Sequence, residues 1–507
     1  MPVDLASVRR NLRAVTGLRE GSLSLLDDED LLRRIEIMSG IKRFTERFCG
    51  DADFREALAL APEQALARWQ LAIDVQDACL IRDASHAADD GVFRGDLTQN
   101  LERFREFVMQ TQGGLELIER AASSGNPRFR AWRNRQLARL RFQFPPGSEY
   151  LVRPAVALEL SKGCSVGCWF CAISAERFGG NYVYGDRTRG EWRGVLEALD
   201  DALGSAAGSG FCYWATDPLD NPDYEKFASD FHDILGVFPP ITTALALKNP
   251  DRMRSLLRLS SAKGCRLNRL SILSLKMLDH VHRGFTAVDL TFTEMVLQMP
   301  DARIFSNFPV TQPAAKVKAG RTLVSKPDKR NGERDESLSG TIACIVGFLI
   351  NMVTRTIQLV SPCIATERWP LGYMIFDEAH FETAEELSHV LNQMIESHMP
   401  LSVPAKAPIR FRSDIVYAPL DDGFRVSTRW HSLDFRDASD APAFPGYRKL
   451  AESIHAGRYS TEEIVEQFAS GVKTREHIQE SLDRLFLCGV FSEDPVPQHD
   501  RIPVLAN

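Results

Sequence analysis

No stretch of this 507-residue chain is apolar for long enough to cross a bilayer. The longest apolar run, Thr341 to Val353, is short and interrupted by Asn351. The first sixteen residues carry Arg9, Arg10 and Arg13 but no apolar core region, so a secretory signal is not expected. A strong charge of one sign is missing too. Lys and Arg number 61 against 68 Asp and Glu, for a net charge of -7, which gives no globally basic surface for nucleic acid. There is no internal repeat and no low-complexity tract. What these absences leave is a globular composition, 44% hydrophobic and 25% charged. The length suits about two to four domains. The expected location is cytoplasmic, with neither membrane nor nucleic acid as a partner.

Cysteine pairing is scarce as well. Ten cysteines stand at 49, 79, 164, 168, 171, 212, 265, 344, 363 and 488. In a reducing compartment they do not make a disulfide framework, so a tight cluster among them points to a metal or a catalytic role. Seven are scattered. Three are not: Cys164, Cys168 and Cys171 form C-x3-C-x2-C within ALELSKGCSVGCWFCAISAERFGG, residues 157 to 180.

Around that cluster the chain divides by texture. Residues 1–147 read as a helical region, with apolar residues at three- and four-residue steps over Leu25 to Met38 and Phe54 to Ala72. An arginine-dense helix (128–141) closes it before Pro145-Pro146-Gly147. Its arginines are expected on a solvated face.

Residues 148–400 alternate short apolar strands with helices. Strands are expected at 155–160, 210–216, 241–247, 268–274 and 303–310, with helices over Glu191–Leu203, Asp223–Leu235 and Pro250–Lys263. Such alternation implies an α/β fold, a parallel sheet covered by helices, open or closed into a partial barrel. A polar segment, 313–340, interrupts it before further strands at 342–359 and 371–376. Residues 401–441 read as a connecting segment. Residues 442–507 read as a winged-helix-like module of short helices followed by a two-strand wing. Ser460 or Thr461 serves there as a helix N-cap before Glu462 and Glu463.

Thiolates are soft ligands suited to iron–sulfur or zinc sites. Three of them on one loop is an informative count, because a structural zinc site is normally closed by a fourth protein ligand. A cubane held by three cysteines keeps one iron open to a substrate or cofactor. Three thiols serving zinc remain the alternative on the residues alone.

The spacing, with Trp169 and Phe170 between the second and third cysteines, resembles the hallmark of radical S-adenosylmethionine (SAM) enzymes. The resemblance implies a partial (βα)6 barrel and one [4Fe-4S] cluster on Cys164, Cys168 and Cys171, whose open iron chelates SAM. It places Phe170 against the adenine. It also puts Thr216 and Asp217, in YWATDP (213–218), where such enzymes grip the SAM amino group; an ordinary strand-to-helix turn is the alternative. Ser271 and Ser274 are offered to the ribose or carboxylate, and a bland role is favoured for them. An external electron donor such as a flavodoxin or ferredoxin is implied as a partner.

The scattered cysteines contain no further C-x2-C pair, so one cluster is the economical expectation. The segments CSVGCWFCAISAERF, YWATDPLDNPDYEKF and VSPCIATERWPLGY together resemble radical SAM peptide epimerases of the proteusin type. These convert L- to D-residues in ribosomally made precursor peptides, which implies such a peptide, leader and core, as substrate. In that family a cysteine returns hydrogen to the carbon that lost it. Cys363 best matches that donor, with Cys344, inside an apolar strand-like run that favours core packing, in reserve; on the residues alone, a buried structural thiol is the favoured reading of Cys363. A radical C-methyltransferase and a non-catalytic leader-binding scaffold with a metal site are the rivals. The tail offers a wing for leader binding by strand addition. Residues 53–75 are similar to helical leaders of such precursors, or are simply an amphipathic packing helix. His280 and His282, two apart, do not share a helix face and are not read as a metal pair.

Overall fold

The computed structural model describes residues 9, 27–87, 97–108, 125–146, 152–168, 171, 173, 175–265, 268–299, 302, 343–437 and 446–494. The expected strand at 303–310 and the polar segment 313–340 lie outside them.

The chain begins with helices, as its periodicity requires. Helix Asp28–Gly50 is capped by the Asp27 carboxylate, which accepts the Asp30 amide, and three acidic residues sit at the positive end of its dipole. Helices Ala52–Leu60, Pro62–Arg68 and Val75–Ala87 follow. They close a small core of their own from Phe44, Phe48, Phe54, Leu58 and Leu66. Gly40 makes the fit possible, since a β-carbon there would stand 2.2 Å from the Ala72 carbonyl oxygen.

Helix Pro127–Gln143 bears out half of the expected solvated arginine face, with Arg128, Arg130 and Arg141 exposed, and corrects the other half. Arg133, Arg135 and Arg139 are buried. Each ends on backbone carbonyls that the sheet and loops leave without donors. Arg133 donates to the Arg153 carbonyl and Arg135 to that of Pro400 at 3.0 Å. Arg139 donates to the Pro362 carbonyl at 2.6 Å and the Ser361 hydroxyl at 2.8 Å. Buried acceptors demand such partners, and a guanidinium with five donors supplies several at once.

Strand β1 (Val156–Glu159) is buried along its whole length. Directly after it a two-residue ladder, β2 (Ser161–Lys162) against β3 (Gly180–Asn181), brackets the three-cysteine loop. The expected second strand reduces to a parallel bridge between Ala157 and Phe211. Then β4 (Thr242–Thr243), β5 (Asn268–Ile272) and β6 (Thr293–Leu297) form a parallel sheet, with helices Pro250–Ala262 and Leu275–Gly284 as crossovers.

Farther on, the single strand expected over 342–359 is a hairpin. Strand β7 (Gly347–Asn351) runs parallel to β1 and turns at Arg355, φ +54°, into β8 (Thr356–Pro362). Strand β9 (Tyr373–His380) completes the order β1-β7-β8-β9. The fold is mixed α/β. Among the described residues none of its sheets closes into a barrel.

Helices cover one face of this four-stranded sheet. Phe129 stacks on Phe348 at 6.1 Å and Trp132 meets Phe376 edge-on at 5.5 Å. Helix Asp186–Leu203 adds Trp192, fully buried, its indole donating to the Phe227 carbonyl at 3.1 Å.

The C-terminal module differs from expectation in order. Its sheet precedes its helices: β10 (Val416–Leu420), β11 (Gly423–Ser427) and β12 (Ser432–Arg436) run antiparallel inside the segment read as a connector. Helices Tyr447–Ala456, Thr461–Phe468 and Val472–Leu487 pack on it through Phe424, Val426, Leu450, Ile464, Ile478 and Leu482. The reason lies in exposure. Most of β10 and β12 faces outward, so their sequence lacks the apolar weight that marks a strand.

Replacing Trp192 by Ala is expected to lower unfolding stability by about 3–5 kcal/mol, the usual cost of emptying a large aromatic site. Trp192→Phe keeps most of the apolar volume and should cost less than half as much. Urea titrations followed by far-UV circular dichroism check both values.

Candidate cofactor site

The three-cysteine loop leaves the sheet at the C-terminal end of β1 and is folded tightly at its root. Gly163 has φ +70°, and a β-carbon there would lie 2.3 Å from the Arg177 carbonyl oxygen, so only glycine fits. The Cys164 amide donates to the Glu176 carbonyl at 2.9 Å. Amides of Val166 and Gly167 donate to the Cys164 sulfur, and the Ala175 amide to the Cys171 sulfur at 3.4 Å.

All three thiols are half-buried and free of disulfides. Burial pushes the Cys164 thiol up to about 11, so without a metal it stays protonated. Among the described residues no three His, Cys, Asp or Glu side chains stand grouped as a metal shell. Soft donors on one loop, with backbone amides aimed at two of the sulfurs, fit the chemistry of an iron–sulfur ligand set. Phe170, expected against the adenine, lies outside the described residues.

The segment after the second strand is organised otherwise than expected. Thr216 is buried, 8% exposed. The Asp217 carboxylate accepts from the Thr243 hydroxyl at 2.7 Å, the Ala244 amide at 2.8 Å and the Leu219 amide at 3.0 Å. It is a latch to the third strand, and these three donors occupy both of its oxygens. Burial pushes its carboxyl up to about 6, against the pull of the Thr243, Ala244 and Leu219 bonds.

The next two polar residues do what sequence reasoning missed. Asp220 accepts from the Ser165 amide at 2.8 Å, inside the cysteine loop. Asn221, fully buried, donates to the Leu160 and Tyr182 carbonyls, both at 2.9 Å. Their signal was the run Asp220-Asn221-Pro222-Asp223 before a helix, a pattern that favours turns and local hydrogen bonding. Ser274 proves to be a helix cap, accepting the Met277 amide at 3.2 Å. Ser271 lies half-buried on β5, on the opposite side from Leu270 and Ile272, which join the main core.

Strand parity separates the two candidate donors. One face of the β1–β9 sheet carries Ala157, Leu349 and Val360 and packs with Phe211 and Trp214, with Tyr213, Cys344, Tyr373 and the loop residue Ile173 alongside. At its upper end buried Glu159 accepts from the Ala215 amide at 2.7 Å and the Asn351 side-chain amide at 2.9 Å, and burial raises its carboxyl. Cys344 belongs to this face, although it precedes β7 rather than lying inside a strand.

Cys363 does not. It follows Ser361 on the helix-covered side, beside Arg139, and burial pushes its thiol up to about 12. Like Cys344, which precedes β7, it stands at the end of the sheet away from the cysteine loop, about 20 Å off at roughly 3.3 Å per residue. The structure therefore does not bring Cys363 together with Cys164, Cys168 and Cys171.

A protein of Sinorhizobium fredii (strain NBRC 101917 / NGR234), uncharacterized protein y4wI, is 34% identical over 476 residues, 90% of this chain and 88% of its own length. The chain belongs to the y4wI family. No family model matches it, and no solved structure does. No helix among the described residues of this y4wI relative is long and apolar enough to cross a membrane.

The raised Asp217 carboxyl has a pH signature. A carboxyl whose folded value lies above its unfolded one adds stability below the unfolded value, near 3.8, and loses it as pH rises through about 6. Urea stability measured from pH 3.5 to 7 is therefore expected to fall more steeply in wild type than in Asp217→Asn. The two curves should diverge by on the order of 3 kcal/mol across that window. Parallel curves would show that the carboxylate is not strained by burial.

Proposed function

We infer that the chain is a radical SAM enzyme acting on peptides, and that its reaction is epimerisation of L- to D-residues in a ribosomally made precursor. One observation carries the reading. Cys164, Cys168 and Cys171 share a braced loop at the C-terminal end of a strand flanked by parallel neighbours, where α/β proteins place their ligands. The partial barrel that the motif implies is part of this proposal. So are the [4Fe-4S] cluster, SAM, the flavodoxin- or ferredoxin-type donor and the precursor peptide.

When bound, the cluster and SAM supply a carbon-centred radical that takes a hydrogen atom from a substrate Cα. The chain's residues then have three tasks. The loop holds the ligands. The face lined by Ala157, Phe211, Tyr213 and Trp214 excludes water from a radical. A thiol on that face gives a hydrogen atom back from the other side, forming a Cα–H bond and breaking S–H. The resulting thiyl regains one electron and one proton from the external donor and solvent.

Cys344 lies on that face and Cys363 on the helix-covered one, which favours Cys344 for that return, while both stand at the end of the sheet away from the cysteine loop. Burial pushes the Cys344 thiol up to about 11 against the pull of Arg153 and Arg269, so it stays S–H at neutral pH. Cys363, named by motif resemblance, faces the helices instead.

Co-expression with a precursor peptide in deuterium oxide is the test. Each converted residue should gain one deuterium, and Cys168→Ala should abolish both that gain and 5′-deoxyadenosine formation. Cys344→Ala should stop deuterium entry while 5′-deoxyadenosine continues, with Cys363→Ala close to wild type. The reverse pattern would return the donor role to Cys363. Methylated peptide without D-residues would replace epimerisation by C-methylation.

A further inference from the structure

We propose that Asp220 is a positioning residue, holding the backbone of the three-cysteine loop folded before any metal arrives and placing a negative charge beside it afterwards. The second half of this statement rests on the cluster reading above; the first does not.

Ser165 sits between the first two cysteines. The Asp220 carboxylate takes its amide on one oxygen at 2.8 Å and its hydroxyl on the other at 2.5 Å. The backbone of Asp220 contributes as well, its carbonyl accepting the Asn181 side-chain amide at 3.0 Å. Asn221 fixes both ends of the same loop, through the Leu160 carbonyl before it and the Tyr182 carbonyl after it. Two adjacent side chains therefore grip the loop at its start, body and end.

The grip is rigid from behind. Asp220 ends a 3-10 turn, Pro218–Asp220, capped by Asp217. Arg252 donates to the Leu219 carbonyl at 3.2 Å and the Asn221 carbonyl at 2.7 Å, and is itself held by Glu225 at 2.7 and 2.9 Å. Among the described residues no ion pair engages Asp220, and its charge acts on Cys164 in the loop and on buried Asp217 behind it.

Ordering a free backbone costs conformational entropy at every residue it fixes. Partners behind metal ligands commonly change metal affinity about 10–100-fold. A loop prebuilt by Asp220 meets the first cost before binding. Its charge also opposes adding an electron nearby, by Coulomb's law.

The test uses the full chain and the variants Asp220→Ala and Asp220→Asn, with Asp251→Ala, an exposed ion-pair residue, as control. In metal-free protein, trypsin cleavage after Lys162 and Arg177 should be about tenfold faster in Asp220→Ala, where local opening is easier. Asp220→Asn and the control should stay near wild type. Titration with ferrous iron and sulfide should show about 10–100-fold weaker loading for Asp220→Ala. Asp220→Asn should load normally, with its electron paramagnetic resonance midpoint moved to a less negative potential. Wild-type cleavage rates together with wild-type loading in Asp220→Ala would overturn the proposal, and an unmoved midpoint in Asp220→Asn would remove its electrostatic half. Faster cleavage in Asp220→Ala, with no cluster taken up even by wild type, would uphold the grip and sink the cluster reading instead. Should Asp220→Ala fail to fold, Ser165→Ala, which removes the hydroxyl contact from the loop side, replaces it in the cleavage assay, and an unchanged rate there overturns the grip.

Discussion

A single side-chain amide closes the loop on which the proposed chemistry depends. Asn221 is completely buried and gives both of its amide hydrogens to carbonyls that enclose residues 161 to 181. Its own oxygen accepts the Asp223 amide at 2.9 Å, and its carbonyl is held by Arg252. Every polar atom of that side chain is satisfied. The asymmetry of hydrogen bonding makes this demanding, because a buried carbonyl left unpaired costs about 1–3 kcal/mol. Without Asn221, the Tyr182 carbonyl would lose its side-chain donor, while that of Leu160 would keep only the Tyr182 amide at 2.9 Å. The loop's root is thus fixed by necessity of pairing, and Gly163 adds the steric half of the constraint.

From that root the organisation of the sheet follows. Glu159, the last residue of β1, ties the second strand through the Ala215 amide and β7 through the Asn351 side chain. The loop therefore emerges where three strands are laterally cross-linked. Burial of Glu159 and of Asp217 raises both carboxyls, which is the cost of using acceptors so deep in the structure. Hydrogen bonds from neutral partners offset part of it. No cation reaches either carboxylate among the described residues, and the neighbouring charges of Asp220 and Glu176 push the same way as burial.

How legible was this in the sequence? The cysteine loop was, because spacing alone carries it. The crossover helices were too: Pro250–Ala262 and Tyr224–Leu235 fall where apolar periodicity and capping residues put them. Ser460 caps its helix and Glu463 returns the bond to the Ser460 amide, the reciprocal pair read from the tail. Other features needed register. Whether Cys363 faces inward depends on the pairing of Gly347 with Val360 and of Pro362 with Tyr373, and a one-residue change flips every side chain. Burial of Arg133, Arg135 and Arg139 was hidden for a similar reason. An arginine's charge announces solvent, while the carbonyls it meets come from residues far away in the chain.

The N-terminal helices show the same principle at a larger scale. Phe54 and Leu58, within the stretch similar to peptide leaders, are completely buried in that unit's own core. Their apolar face is therefore committed, as an amphipathic packing helix requires, and Leu60 alone of that helix's leucines stands exposed. The unit attaches through a small apolar patch, Leu31, Ile35 and Phe107 against Val288 and Phe292, and through charge. Arg47 pairs with Asp51 and with Asp279, while Glu46 binds Lys42 and His282. Burial holds His282 below the usual imidazole range despite the Glu46 carboxylate beside it. Ion pairs this enclosed give little net stability over apolar packing, but breaking one partner leaves a buried charge stranded. Such a contact sets orientation more than strength. It fixes the helical unit against helix Leu275–Gly284, on the crossover after β5.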